Sequence, residues 1–262
     1  MNHGPAGAGV LLLASGLALP LLCYRLAVSE VRATRGPWPT WRTACWTGGL
    51  GSLGVGLVVP GHGFVPHAGS HLLVGMVAPV LLALAAPVPL ALRALPAARA
   101  RILVRMLRSR PLRTLGHPAP AAILNVGGLW LLYATPLYQF HDHPLLHVHM
   151  LAAGYLFAAA ILGAHPGPAG FPLRAAVLVG SLAAHGILAK FLYAHPPAGV
   201  PAADAERGAV LLYYGGDAVD LVLITLLCRS WFGTLSRRRS AARATDRRSC
   251  GSRPAPRTPS CR

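Results

Sequence analysis

Closely spaced histidines are the first feature of this sequence that suggests chemistry. His67 and His71 are four residues apart, so one face of a helix can present both imidazoles to a single ion. Imidazole is a good ligand for copper, zinc, iron and nickel. The pair is therefore a candidate metal site.

The segment HDHPLLHVHM contains a second group of candidate ligands. His143, His147 and Met150 stand at positions i, i+4 and i+7, and they share a helix face if that helix starts early enough. His149 is expected to point elsewhere. Imidazoles with a thioether nearby favour copper, Cu(I) especially. The alternative for both groups is that several of these side chains are interfacial, wet at one end and packed at the other.

Ionisable residues inside long apolar stretches form a third group. Asp217 and Asp220 lie about eight and eleven residues into the last stretch, at depths of roughly 12 and 17 Å, and His185 lies near 15 Å in the preceding one. Charged groups inside a bilayer are costly and usually pair or serve function. We expect His185 to contact Asp217 or Asp220, and Lys190 to snorkel outward or reach Asp217. A structural clamp between the two helices and a proton or metal role both remain open, whereas Asn125 is expected to form an interhelical hydrogen bond.

The elements that must position these residues follow from composition. Of the 262 residues, 54% are apolar and 12% are charged, which excludes a disordered protein and disfavours a soluble globule. Apolar stretches recur near the ~20 residues that a helix needs to cross a bilayer. The sequence predicts an all-α polytopic membrane protein with seven transmembrane helices, at 6–27, 43–60, 70–92, 119–138, 145–164, 173–194 and 209–228.

Basic residues set the expected orientation. Lys and Arg number 24 against 7 Asp and Glu, a balance that suggests nucleic acid until the positions are considered. Counting alternate connections and the C-terminal tail together, 22 of the 23 Arg fall on one side of the seven helices. The positive-inside rule then predicts an outside N-terminus and a cytoplasmic C-terminus, with no nucleic-acid partner.

Two basic segments of the chain are predicted to have different structures. The transmembrane domain is expected to span 1–235 and to include an amphipathic cytoplasmic segment at about 93–113, which lies on anionic lipid headgroups. Residues 236–262 hold nine Arg with Ser and Pro and almost nothing apolar, which predicts a disordered cytoplasmic tail.

The predicted topology places most of the histidines on the outer face. Cysteine is expected only near cytoplasmic helix ends and in the tail, so outer metal chemistry must use His, Met or carboxylates. Nine of the twelve histidines map to the outer surface or outer helix ends: His3, His62, His67, His71, His141, His143, His147, His149 and His195.

The order of these motifs resembles the CtaG-type cytochrome c oxidase assembly factors of Gram-positive bacteria. The marks are HAGSHLLVGMVAPVLLALAAPVPLAL, then HDHPLLHVHMLAAGYLFAAAILGAHPGP, then an acidic outer loop with Asp204 and Glu206, then GAVLLYYGGDAVD with Asp217. Members of the family have Glu-His where this chain has Val148 before His149, which leaves no carboxylate beside that histidine.

The resemblance implies a non-catalytic factor of the bacterial cell membrane that matures a haem-copper oxidase. It implies cytochrome c oxidase subunits as partners and copper handling at the outer face. Joined to the histidine pattern, this gives the hypothesis that four histidines hold or pass copper while two residues assist: His67, His71, His147 and His149, with His143 and Met150 as auxiliary ligands.

Two other functions remain open on the sequence. One is an intramembrane zinc-dependent hydrolase, because His67, His71 and a buried Asp217 could hold zinc and an activated water, although there is no HExxH. The other is a b-type haem membrane protein with axial histidines from two helices.

Overall fold

The described part of the chain consists mostly of helices. A computed structural model of the protein describes residues 5–58, 63–141, 143–164 and 169–251, and within these ranges there is no β-strand. The predicted all-α fold class is confirmed.

Twelve α-helices follow one another along these residues, two pairs of them joined by a π-helical turn. The order is α1 Pro5–Thr34, α2 Thr40–Val58, α3 Phe64–His71, the π-helical Leu72–Val77, α4 Ala78–Leu84, α5 Pro87–Ala94, α6 Ala97–Leu107, α7 Arg110–Leu115, α8 Pro118–Ala122, the π-helical Ile123–Gly127, α9 Gly128–Tyr133, the 3₁₀ turn Pro136–Phe140, α10 Pro144–Leu162, α11 Phe171–Ala194 and α12 Ala202–Gly251. We call the continuous helix 64–84 the central rod and the continuous helix 118–133 the short rod.

Five helical stretches in the described ranges are long and apolar enough to cross a membrane. They are Leu13–Thr34, Phe64–Ala94, Pro144–Leu162, Phe171–Ala194 and Ala202–Thr234. Helix α2 and the short rod occupy the other two predicted positions, but α2 is outside this set and the short rod is only a shorter apolar helix. The protein is a membrane protein with several apolar helices, and the count of seven spans stays a prediction.

The central rod lies in the middle of the bundle, where it contacts α2, α10 and α12. Small residues let membrane helices approach closely, because no side chain separates the backbones. Each neighbour places a glycine against the rod: Gly56 in α2, Gly154 in α10 and Gly215 in α12. The contact is tightest at α10, where Gly154 faces the Gly75 carbonyl and the ring of Pro79.

Side chains in the bundle are arranged in three layers. One apolar cluster includes Phe64, Leu72, Leu129, Leu188 and Leu212, and a second includes Val80, Ala121, Phe157, Leu178 and Leu223. Between the two clusters along the short rod, α10, α11 and α12 lie Asn125, His149, Met150, Ser181, His185 and Asp220, and His71 of the central rod lines the same cavities as these residues. A polar layer is therefore enclosed between two apolar ones.

The two basic segments are described in part. The predicted amphipathic segment is helical over α6, which buries none of its residues, and its apolar Ile102 and Met106 are exposed. Helix α12 continues to Gly251, so the backbone of 236–251 is described as helix, while 252–262 lie outside the described residues. Lipid contact and a disordered tail stay predictions.

Replacing Gly154 by alanine should destabilise the bundle. The added methyl group would meet the Gly75 carbonyl and the Pro79 ring, and overpacking of this kind costs about 1 to 3 kcal/mol. Thermal melting in detergent measures the effect. Gly180→Ala in α11 is the matched control, because nothing lies within 4 Å of its added methyl group, and equal melting of the two variants would contradict the packing described here.

Candidate functional site

The helix that carries His67 and His71 begins six residues before its predicted start. Gly63 precedes it with φ 127°, a conformation that favours glycine, and the Phe64 N–H donates to Asp204 Oδ2 at 2.5 Å. The carboxylate satisfies a free N–H at the helix start and complements the positive end of the helix dipole. His71 is consequently seven residues inside the helix, roughly 10 Å along it, and not at the rim.

His67 belongs to an aromatic cluster at this end of the bundle. Its ring centroid lies 5.0 Å from that of His141 and 5.7 Å from that of Tyr133. His141 stacks on Tyr138 at 4.7 Å and its Nδ1 donates to the Tyr138 carbonyl. Tyr133 is thus a neighbour that His67 shares with His71.

His71 is the most unusual polar residue of the structure. It is 2% exposed, and neither ring nitrogen has a hydrogen-bond partner among the described residues. The hydroxyl of Tyr133, whose ring centroid lies 6.2 Å away, is likewise buried and unpaired there. Leaving a buried polar group unpaired costs about 1 to 3 kcal/mol. Buried polar groups without a partner are typical of ligand-binding sites.

Two small cavities meet at this ring. The first, which we call the Met150 cavity, measures about 20 Å³ and is lined by His71, Asn125, His149 and Met150. A volume of this size accepts one water molecule or one ion without a hydration shell. It brings two imidazoles and a thioether to a single enclosed space.

The second cavity extends from the other side of the same residues. This Asp220 cavity measures about 30 Å³ and is lined by His71, Asn125, Ser181, His185 and Asp220. The ring centroids of His71 and His185 are 6.2 Å apart. His71 and Asn125 line both cavities, so the two spaces form one polar region inside the bundle.

Both π-helical turns border the cavities. The turn in the central rod contains Gly75 and the turn in the short rod contains Asn125, and each residue lines both spaces. A π turn shifts the helical register by one residue and recurs at functional sites. The sequence offers no proline or charge pattern that would have revealed either turn.

Each imidazole of the polar layer lies against a glycine on a neighbouring turn or helix. The pairs are His71 with Gly75, His149 with Gly128, and His185 with Gly216. A methyl group at any of these glycines would collide with or crowd the ring. The rings are therefore packed in one position.

His149 also faces outward. It is the one polar side chain among the residues lining an open groove of about 540 Å³ between the short rod and α10, whose other walls include Ile123, Leu131 and Leu137. It was expected to point away from Met150, yet both line the same cavity. The expected face of His143, His147 and Met150 does not form, because α10 begins only at Pro144.

The remaining predicted residues lie apart from the cavities. His143 is exposed and caps α10, its Nδ1 accepting the Leu145 N–H at 3.3 Å, and His147 is half-buried. Lys190 is exposed, with its Nζ 5.4 Å from the centre of the Tyr213 ring.

The choice between Asp217 and Asp220 as partner of His185 stays open. Asp220 is buried and lines the same cavity as His185, whereas Asp217 is exposed but lies close enough to interact electrostatically with the His185 ring. His3 and His62 lie outside the described residues.

No group of three His, Cys, Asp or Glu side chains that could hold a metal ion occurs within the described ranges. The donor set that does converge is His71, His149 and Met150. The alternatives of a zinc hydrolase and a haem protein gain no support from these residues.

Sequence reasoning missed Tyr133 and Ser181, because a single tyrosine or serine in an apolar helix carries no sign of its depth or direction.

Comparison with known proteins identifies the family of the chain. The chain belongs to the family of cytochrome c oxidase caa3 assembly factors, whose family model matches residues 22–234. The resemblance drawn from the motifs is confirmed. No solved structure matches the chain.

Its curated relatives are much longer than this chain. Uncharacterized proteins of Mycobacterium bovis and Mycobacterium tuberculosis are each 34% identical over 176 residues, which are 61% of this chain and 26% of each relative. One of Mycobacterium leprae is 33% identical over 171 residues, 59% of this chain and 26% of the relative. The chain thus spans about a quarter of the length of these relatives.

Removing the carboxylate at the start of α3 should destabilise the helix that carries His71. Asp204→Ala deletes the acceptor of the Phe64 N–H, and loss of a helix cap costs about 1 kcal/mol. Detergent melting of Asp204→Ala should show this loss. Glu206→Ala, at an exposed acidic position two residues away, is the control, and equal melting of both variants would contradict the cap.

Proposed function

We propose that this protein handles copper for a haem-copper oxidase at the extracytoplasmic face of the bacterial plasma membrane, as an assembly factor and not as an enzyme. In this proposal copper is cargo, held in passing by His71, His149 and Met150. The observation that carries the proposal is the buried His71 imidazole, whose two nitrogens have no hydrogen-bond partner among the described residues and which lines an ion-sized cavity.

The chemistry of these side chains fits copper. A thioether is a soft ligand that selects Cu(I), and imidazole suits copper as well as zinc. Met150 is buried beside His71, with its Cε 3.6 Å from the position that a Cβ on Gly75 would take. All three side chains are neutral when they bind, so the site would release a single positive charge more easily than one built on carboxylates would.

The other predicted ligands have a different part in this proposal. His67 lies next to His141 in the aromatic cluster, close to the Asp204 contact at the start of α3. His143 is exposed and His147 is half-buried on the first turn of α10. We assign these histidines to the approach of copper from the outer face, and His71 to the buried position that it reaches.

The topology belongs to the same proposal. Seven spans with an outside N-terminus put the histidine-rich ends of α3 and α10 outside and 22 of the 23 Arg in the cytoplasm. This orientation would present the site to extracytoplasmic copper and to oxidase subunits in the same membrane. Anionic lipid would contact the exposed apolar face of α6 from the cytoplasmic leaflet.

Reporter fusions test the orientation. A compartment-sensitive reporter placed after Arg229 should report the cytoplasm, and one placed in the connection 197–203 should report the outside, because the Arg asymmetry sets the orientation. The inverse pattern would refute the outer-face site along with the topology.

Metal binding tests the donor set directly. In the detergent-purified full chain, His71→Ala and Met150→Leu should each weaken Cu(I) binding by about tenfold or more, since each removes a ligand. Met150→Leu should leave Zn(II) binding unchanged, because zinc does not depend on a soft thioether. Competition with a chromophoric Cu(I) chelator gives both affinities.

The controls for this measurement are matched by residue type. Met106→Leu removes an exposed methionine of α6, and His195→Ala removes an exposed histidine whose Nδ1 bonds only its own helix turn at Phe191. Wild-type Cu(I) affinity in His71→Ala, or equal loss in Met106→Leu, would refute the assignment.

The role in assembly is tested in cells. Deleting the gene should lower the activity of assembled haem-copper oxidase in membranes, and excess copper in the medium should restore part of it. If the deletion strain keeps full oxidase activity, the proposed function is wrong. If the double variant His71→Ala, His149→Ala complements as well as wild type, the site is wrong.

A further inference from the structure

A basic groove lies between the first two helices, away from the polar layer. It measures about 850 Å³ and is lined along the C-terminal half of α1 and the N-terminal half of α2. Its polar side chains stand at helical spacing on the two facing helices: Arg25, Ser29 and Arg32 on α1, with Thr40, Thr43 and Thr47 on α2. No acidic side chain lines it, so the groove is suited to an anion.

Two neighbouring arginines make their contacts outside the groove. The guanidinium carbons of Arg42 and Arg93 lie 4.9 and 5.6 Å from the centre of the Trp38 ring, on which they form cation–π contacts. Arg32 donates a long hydrogen bond of 3.4 Å to the Trp38 carbonyl. Arg25 and Arg32 are the arginines that face the groove, and the weak bond of Arg32 leaves it available to a stronger acceptor.

Aromatic and hydrogen-bond contacts join the two helices that form the groove. Tyr24 stacks on Trp46 with ring centroids 4.6 Å apart. The Trp38 indole N–H donates to the Tyr24 hydroxyl, which itself donates to the Ala85 carbonyl at 2.9 Å. These contacts join α1, α2 and Ala85, the residue after the central rod, and so hold the two helices of the groove together.

The groove lies at the end of the apolar stretch Leu13–Thr34, where a membrane-spanning helix would meet water. The adjoining surface of α1 exposes Leu19, Leu22 and Leu26 by 56 to 65%, which is typical of a lipid-facing helix. Trp38, Trp41 and Trp46, three of the five tryptophans of the chain, lie at or near the start of α2, and tryptophan is enriched at membrane interfaces. This placement holds whichever end of the bundle is cytoplasmic.

We propose that this groove binds the phosphate headgroup of an anionic phospholipid. Guanidinium groups bind phosphate oxygens in a planar, bidentate manner, and the start of α2 at Thr40 adds the positive end of a helix dipole. The Ser29 and Thr47 hydroxyls donate to carbonyls of their own helices, so the two guanidinium groups are the principal donors. The acyl chains would follow the exposed leucines of α1, which a soluble phosphate could not use.

Native mass spectrometry of the full chain tests the proposal, with phosphatidylglycerol and phosphatidylcholine added in equal amounts. Wild type should retain phosphatidylglycerol selectively. The variant Arg25→Gln, Arg32→Gln should retain it about tenfold less per arginine removed, which is the order that a charge-assisted hydrogen bond contributes. The matched control is Arg207→Gln, Arg229→Gln, two exposed arginines of α12, which loses the same charge outside the groove and should behave as wild type.

Three other outcomes would contradict the binding of an anionic phospholipid in the groove. Equal loss in the control pair would indicate general attraction to negative charge, and equal retention of phosphatidylcholine would exclude recognition of net charge. Displacement of the lipid by glycerol 3-phosphate at equal concentration would indicate a site for free phosphate. If the Gln pair does not fold, Arg25→Lys, Arg32→Lys keeps the charge but loses the bidentate geometry, and wild-type retention there would overturn the proposal.

Copper binding is measured separately and does not enter this test. The groove is formed by α1 and α2, whereas the Met150 cavity is formed by the central rod, the short rod and α10. The lipid variants should therefore bind Cu(I) as wild type does.

Discussion

A polar layer enclosed in an apolar helix bundle is the constraint on which the rest of the structure depends. Inside a membrane protein an unpaired imidazole has no bulk water to supply its missing hydrogen bonds, so its position must be enforced by its surroundings. The central rod carries His71 into this layer because Asp204, from a distant part of the chain, starts the helix early. Tight glycine contacts from α2, α10 and α12 then hold the rod in place.

The Met150 cavity has two neighbours that differ in polarity. Toward the start of α3 lies the aromatic cluster of His67, Tyr133 and His141. Sideways, His149 separates the cavity from the open apolar groove along α10. In the proposed function the first side is aqueous and the second faces the lipid and other membrane proteins. Arrival and delivery of cargo can therefore use different faces of one small site.

The sequence predicted the broad features and missed those that depend on distant contacts. Hydropathy gave the helical class, and the order of the histidine motifs gave the family, because both are local patterns. The early start of α3 could not be predicted, since the carboxylate that caps it is 140 residues away. Similar depths for Asp217 and Asp220 left their roles open, and only the rotation of α12 places Asp220 inside and Asp217 outside.

The pairing of each imidazole with a glycine limits how this sequence can change over evolutionary time. While His71, His149 or His185 is present, the glycine opposite it cannot become alanine without displacing the ring. If a histidine is replaced by a smaller residue, the opposite position is released to vary. In lineages that abandon the site, histidine and glycine should therefore disappear as couples, with the histidine lost first.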